Sequence, residues 1–120
     1  MGKSNDLGLW GERMAAKLML EKGYSFVAHS YHSRWVEIDL IMEDGTYLVF
    51  CEVKLRKTDR YGTPGAYVTP SKQEKLRKTA LIYLQEHPSE KQPRFDVVEL
   101  YAPDGLESER VWARQIENAF

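Results

Sequence analysis

The sequence predicts an α/β protein: a central mixed β-sheet flanked by α-helices, in the order α-β-β-β-α-β-β. Three observations carry this prediction. Apolar residues recur at helical spacing near the N-terminus and again after Thr69. Short β-branched, apolar-rich runs bounded by turn residues fill the remainder. A hairpin signal joins two of these runs, whereas a helix separates the second from the next, which calls for mixed strand pairing.

Residues 6 to 22 read as the first helix, with Asp6 as N-cap, Leu7, Trp10, Met14 and Leu18 as the apolar stripe, and Gly23 at C′. Glu12 lies off that stripe, near Gly8, Ala15 and Ala16. On spacing alone it is an ordinary helix-surface glutamate. Residues 24 to 31 form a first strand, and residues 36–56 a hairpin. Lys57 to Val68 is a loop in which Gly62, Pro64 and Gly65 are interleaved with Arg60, Tyr61 and Tyr67; such a loop can close on a substrate. Thr69-Pro70 is a helix start, and the helix ends at about His87, before Pro88. Leu76, Ala80, Tyr83 and Leu84 form its buried stripe. Arg94 to Tyr101 and Val111 to Ile116 complete the strands.

The hairpin concentrates the chemistry. Asp44-Gly45 is a two-residue turn signal. Taken as the loop, it pairs Glu43 with Thr46, Ile41 with Leu48 and Asp39 with Phe50. Period-two geometry then places Asp39, Phe50, Glu52 and Lys54 on one face, with Asp39 and Glu52 as diagonal neighbours. The opposite face (Ile38, Leu40, Met42, Tyr47, Val49, Cys51, Val53, Leu55) is apolar and requires a covering helix. Carboxylates are hard oxygen ligands suited to Mg²⁺ or Mn²⁺. Asp39 and Glu52, with the backbone carbonyl of Val53, make a candidate metal site. Lys54 stands ready to orient a water or to stabilise charge on a phosphate. An exposed ion pair between Glu52 and Lys54 is the competing account, and the residues leave both open.

Composition narrows the function classes. At 120 residues, 42% hydrophobic and 29% charged, the chain suits one soluble globular domain. No apolar run reaches membrane-spanning length, and the N-terminus has no secretory h-region, so a cytoplasmic location is expected. The single Cys51 excludes an internal disulfide and a cysteine-based zinc site, and it falls on the apolar face. His29, His32 and His87 lack metal-ligand spacing. The net charge is −1, but residues 54–78 alone carry 8 Lys/Arg against 2 Asp/Glu. This basic block begins beside the acidic site, so a phosphate backbone laid along it would reach the carboxylates. Arg56, Lys57, Arg60, Tyr61, Lys72 and Lys75 are the candidate nucleic-acid contacts, with Lys72 in the first turn of its helix. A solvated basic face is the competing account.

Gly11-Glu12, Glu37-Ile38-Asp39-Leu40-Ile41, Phe50-Cys51-Glu52-Val53-Lys54-Leu55-Arg56, Lys72, Arg94-Phe95-Asp96-Val97-Val98 and the ending Ile116-Glu117-Asn118-Ala119-Phe120 together resemble the YraN family of bacterial proteins. The resemblance spans almost the whole chain. That family is similar to the restriction-endonuclease-like fold and to archaeal Holliday junction resolvases. The resemblance implies Asp39 and Glu52 as metal ligands, Lys54 as the catalytic lysine and Glu12 as an upstream catalytic acid, with Mg²⁺ or Mn²⁺ as cofactor. The chain departs from the family pattern at Val36, where a glycine is expected. The leading expectation is a metal-dependent nuclease acting on DNA, branched or otherwise structured. The alternatives are a non-catalytic nucleic-acid-binding module and a protein-interaction scaffold. Resolvase-like cutting would require a homodimer, since two symmetric cuts need two matched sites.

Overall fold

The computed structural model describes residues 3–56 and 68–120. Lys57, Arg60, Tyr61 and Tyr67, with the rest of the proposed closing loop up to residue 67, lie outside the described residues. The elements are α1 (Lys3–Glu21), β1 (Ser25–His32), β2 (Glu37–Glu43), β3 (Tyr47–Arg56), α2 (Pro70–Glu86), β4 (Gln92–Tyr101) and β5 (Trp112–Ile116), with a 3-10 turn at Gly105–Glu107 before the last strand. The five strands lie side by side in chain order as one mixed sheet. β3 and β4 are parallel and the other three pairs antiparallel. A parallel pair needs a crossover, and the segment containing α2 provides it.

The helix ends follow their local chemistry. At the end of α1, Tyr24 N–H donates to the Met19 carbonyl and Gly23 N–H to the Leu20 carbonyl, both at 3.0 Å, with Gly23 at φ +99°. This is the Schellman arrangement that a C′ glycine permits. Thr69 caps α2, its hydroxyl accepting from Lys72 N–H at 3.2 Å, with Pro70 at the first helical position. The start of α1 differs from expectation. The helix is already running at Lys3, so Asp6 is inside it and is not the N-cap. No glycine or proline between residues 3 and 6 interrupts the helical backbone.

Two hydrophobic clusters sandwich the sheet. α1 covers Leu40, Met42, Val49, Cys51, Val98 and Leu100. Its most buried line is Gly11, Ala15 and Met19, so the stripe is centred one residue further along the chain than Trp10, Met14 and Leu18, which flank it half-buried. α2 covers Ile41, Leu48, Phe50 and Val97 with Leu76, Ala80 and Tyr83. Val36, where a glycine is expected, packs half-buried against this second cluster, so the added side chain is accommodated in the core. Cys51 is buried against the Met19 sulfur, and burial pushes its thiol pKa well up, which removes it as a nucleophile.

The hairpin register is shifted by two from the expected one. Glu43 pairs with Leu48, Ile41 with Phe50 and Leu40 with Cys51. The cause is Asp44. Its carboxylate accepts the N–H groups of Thr46 at 2.8 Å and Tyr47 at 2.6 Å, so Asp44 opens the turn and Gly45-Thr46 are its central pair. A shift of two preserves which side chains share a face. It also moves Glu52 from a diagonal position to one directly opposite Asp39.

Candidate active site

The β2–β3 ladder stops after Leu40 and Cys51, one step before Asp39 would face Glu52. Across β1, Ser30 has φ +51° and falls between the paired residues His29–Leu40 and Tyr31–Ile38. A non-glycine residue in the left-handed region costs about 1 kcal/mol and needs surrounding structure to hold it there. Strict alternation fails at the same point. Ile38 joins the cluster under α2, whereas Leu40 joins the one under α1, which corrects the expectation that both share a face. Asp39, between them, turns its carboxylate to the Val53 N–H at 2.8 Å and lines a cavity of about 100 Å³ with Gly8, Gly11 and Glu12 of α1.

Three acids meet on this side. One carboxylate oxygen each from Glu12, Glu37 and Asp39 lie within 4.8 Å of one another. Glu12 accepts from the Ser30 hydroxyl at 3.1 Å and lies 3.6 Å from His29 Nδ1. It also lines a second hollow of about 230 Å³ with Leu9, Arg13, Ala16, Phe26, His29 and Leu40. Glu12 is therefore part of the cluster, not the free helix-surface glutamate that spacing alone suggested.

Glu52 faces the other helix. It is 3% exposed, and its Oε2 receives the Lys72 ammonium at 2.7 Å. Its Oε1 is buried and finds no hydrogen-bond donor among the described residues. Lys54, the partner in the competing ion-pair account, is half-buried on β3, in register with Glu99, and the ion pair of Glu52 is made with Lys72. Asp39 and Glu52 thus meet across an opened ladder with a helix on either side, not on one flat hairpin face.

The electrostatics follow from this crowding. Burial, then the Glu52 charge, push the Asp39 carboxyl from its ordinary 3.8 up to about 7, with Glu12 and Glu37 adding to the rise and the Val53 N–H opposing it. Burial likewise raises Glu12. For Lys72, burial works against the ammonium, but the bond to Glu52 and the charges of Asp39 and Glu37 outweigh it and raise its pKa. The described residues therefore supply one cation close to Glu52 and leave an acid-rich gap beside it. An orphaned buried oxygen next to carboxylates that resist ionisation is an oxygen donor set short of positive charge, and it fits a hard divalent cation.

The other candidates are less engaged. Arg56 is half-buried with Nε lacking a partner among the described residues, and Lys75 is exposed on α2. Glu37 and the Lys72–Glu52 pairing were missed at the sequence level. The one available signal was that Glu37 stands two residues before Asp39 on the same strand.

Removing the Lys72 ammonium should leave the Glu52 charge buried and unpaired. Lys72→Ala is expected to cost roughly 1–3 kcal/mol, discounted because the lysine side chain is 39% exposed. Urea denaturation checks this, and Glu52→Gln in the same chain should restore most of the loss.

Fold and site together define a class: a small α/β protein whose acidic residues and Lys72 gather where β2 and β3 of a five-stranded mixed sheet part. The chain belongs to the family described as Uncharacterised protein family UPF0102, the YraN family, whose model matches residues 11–100. It is 47% identical over 119 residues to a UPF0102 protein of Symbiobacterium thermophilum, covering 98% of each chain. It is 41% identical to one of Syntrophomonas wolfei over 85% of this chain and 90% of the relative. A third, from Acinetobacter baumannii, is 46% identical over 79% of this chain and 73% of its own length. Glu12, Glu37, Asp39, Glu52, Lys54 and Lys72 all lie within the span matched by the family model. No helix among the described residues is long and apolar enough to cross a membrane.

Proposed function

We propose that this protein is a divalent-cation-dependent nuclease acting on DNA, with branched or structured DNA as its substrate class. The observation that carries the reading is the buried Glu52 carboxylate, with one oxygen held by Lys72 and the other without a donor, beside the crowded Asp39. Asp39, Glu52 and the Val53 carbonyl would hold Mg²⁺ or Mn²⁺. Such a cation, when bound, polarises a phosphate and lowers the pKa of a water.

The chain's own residues do the rest. Val53 N–H fixes the Asp39 carboxylate and Lys72 fixes that of Glu52, so neither has to be ordered at the moment of reaction. Lys54 follows two residues after Glu52, where its ammonium would meet charge building on phosphate oxygens. Arg56 and Lys75 extend positive charge away from the acids for the neighbouring backbone phosphates.

The test is cleavage of labelled linear duplex, single-stranded and four-way-junction DNA with Mn²⁺. Glu52→Gln and Lys54→Ala should each lower the rate by roughly 10²–10³. Cleavage unchanged in both variants would overturn the mechanism. A binding module that does not cut is the second reading, favoured by the fact that Lys72 already neutralises Glu52. Salt-sensitive DNA binding with no cleavage under either cation would select it.

A further inference from the structure

The edge strand β1 departs from regular alternation twice, and both departures turn side chains toward α1. Its pairing with β2 slips by one residue between Phe26 and Ala28, which leaves Val27 as an extra residue. Val27 and Ala28 therefore both pack on the α2 side of the sheet, and His29 joins Phe26 on the α1 side. The left-handed Ser30 then carries its hydroxyl to Glu12 on that same side. Unbroken alternation would have placed Ala28 there and His29 opposite. Bulges that re-aim a side chain are over-represented beside active sites.

The re-aimed groups line the hollow of about 230 Å³ between α1 and β1. Leu9 and Phe26 line it although they are 44% and 50% exposed, so burial in the core does not account for their placement. The Phe26 and His29 rings lie 6.2 Å apart and inclined at 40°, without stacking on each other. Arg13 lines the same hollow, is exposed and has no ion pair among the described residues. Glu12 lines both this hollow and the cavity beside Asp39. An apolar recess with a few convergent polar groups is the lining of a small-molecule site. Drug-sized ligands take roughly 300–1,000 Å³, so this smaller hollow suits a single heterocycle.

We infer that the hollow seats one unpaired nucleobase of the DNA, stacked on Phe26 and His29, with its phosphate at Arg13 and the adjoining phosphodiester directed to Asp39 and Glu52. This deepens the proposed function and rests on it for DNA as the ligand. The wall shared at Glu12 favours a base over other apolar occupants, because a base brings with it the phosphate on which the acids would act. Only a base released from its pair can enter, so the hollow selects structured DNA over regular duplex. Bases stack on aromatic rings whatever the sequence, so the preference is for an unpaired base and not for a particular one.

The experiment is fluorescence anisotropy of the full chain in EDTA. The labelled probes are three duplexes: fully paired, with one bulged nucleotide, and with that bulged nucleotide abasic. The native chain should bind the bulged duplex roughly 10-fold more tightly than either of the others. Phe26→Ala should lose that preference with an unchanged circular dichroism spectrum, and Phe26→Tyr should keep it. In proton NMR, deoxycytidine monophosphate should shift the His29 ring signals and deoxyribose 5-phosphate should not. Equal affinity of the native chain for the bulged and abasic probes overturns the base site. A dimer in sedimentation that Phe26→Ala dissolves also overturns it, because a second copy then fills the hollow. Binding in EDTA needs no cation, so the two readings fail separately. Base preference with no cleavage under any cation overturns the nuclease alone, and cleavage without base preference overturns the base site alone.

Discussion

Asp39→Asn is expected to abolish cation-dependent cleavage, by about 10³-fold or more, and at the same time to stabilise the cation-free protein above pH 7. The loss of activity follows from removing one of the carboxylates of the proposed cation position. The gain in stability follows from the pKa. Asp39 titrates near 7 in the folded chain because it is buried and faces Glu52, against an ordinary value of 3.8. The folded state therefore holds a proton that the unfolded chain gives up. The stability linked to that proton is fully present below about pH 4 and is lost as pH rises through about 7. Asparagine has no such proton, and its amide oxygen still accepts the Val53 N–H. At pH 8 the variant should exceed the native protein by about 2 kcal/mol, an increase of several degrees in Tm, and the difference should shrink at pH 5.5. Mn²⁺ should raise the Tm of the native chain at pH 8 and leave that of the variant unchanged. Thermal melts at the two pH values, with and without Mn²⁺, check all of this. A variant no more stable than the native protein at pH 8 would show that Asp39 is not a strained acid.

Asp96→Ala is expected to do the reverse and to destabilise the fold by about 3–5 kcal/mol. Asp96 is fully buried, and four donors reach it. Arg94 Nε and Nη2 bind at 2.9 Å each, Gln115 Nε2 at 2.8 Å and Asn118 N–H at 3.0 Å. Arg94 is itself 7% exposed, and it also donates to the Tyr24 hydroxyl at 2.7 Å. Deleting the carboxylate would leave that buried guanidinium only the Tyr24 hydroxyl and the exposed Glu117, 3.3 Å from Nη1, among the described residues, and would release the segment after β5. Urea denaturation measures the loss, and a cost below about 1 kcal/mol would contradict the assignment. The two acids form a useful contrast. Asp96 is surrounded by donors and anchors the chain. Asp39 and Glu52 lie close to other acids and have one donor each, Val53 N–H and the Lys72 ammonium, with Glu52 Oε1 left without one among the described residues.

How much of this was legible beforehand depends on how local each cause is. The end of α1 at Gly23 and the start of α2 at Thr69-Pro70 depend on a few neighbouring residues, and both stood in the sequence. So did the apolar alternation that assigned Leu40, Val49 and Cys51 to one covered face and Phe50 to the other. The hairpin was legible as a hairpin, but its register depended on whether Asp44 sat within the turn or opened it. That choice rests on two hydrogen bonds that its carboxylate accepts from the Thr46 and Tyr47 N–H groups.

The sequence by itself thus determined the order of elements, the two-sided core and the chemical identity of the candidate groups. Only the tertiary structure decided how those groups meet. The left-handed Ser30 and the end of the β2–β3 ladder turn Asp39 toward α1, where Glu12 and Glu37 wait. The packing of α2 over the sheet delivers Lys72 to Glu52, a partnership that spacing along β3 had suggested for Lys54. The physical reason is range. Helix caps and strand alternation are set by neighbours a few residues apart, whereas a carboxylate's partners and pKa are set by whatever the fold brings within several ångströms of it.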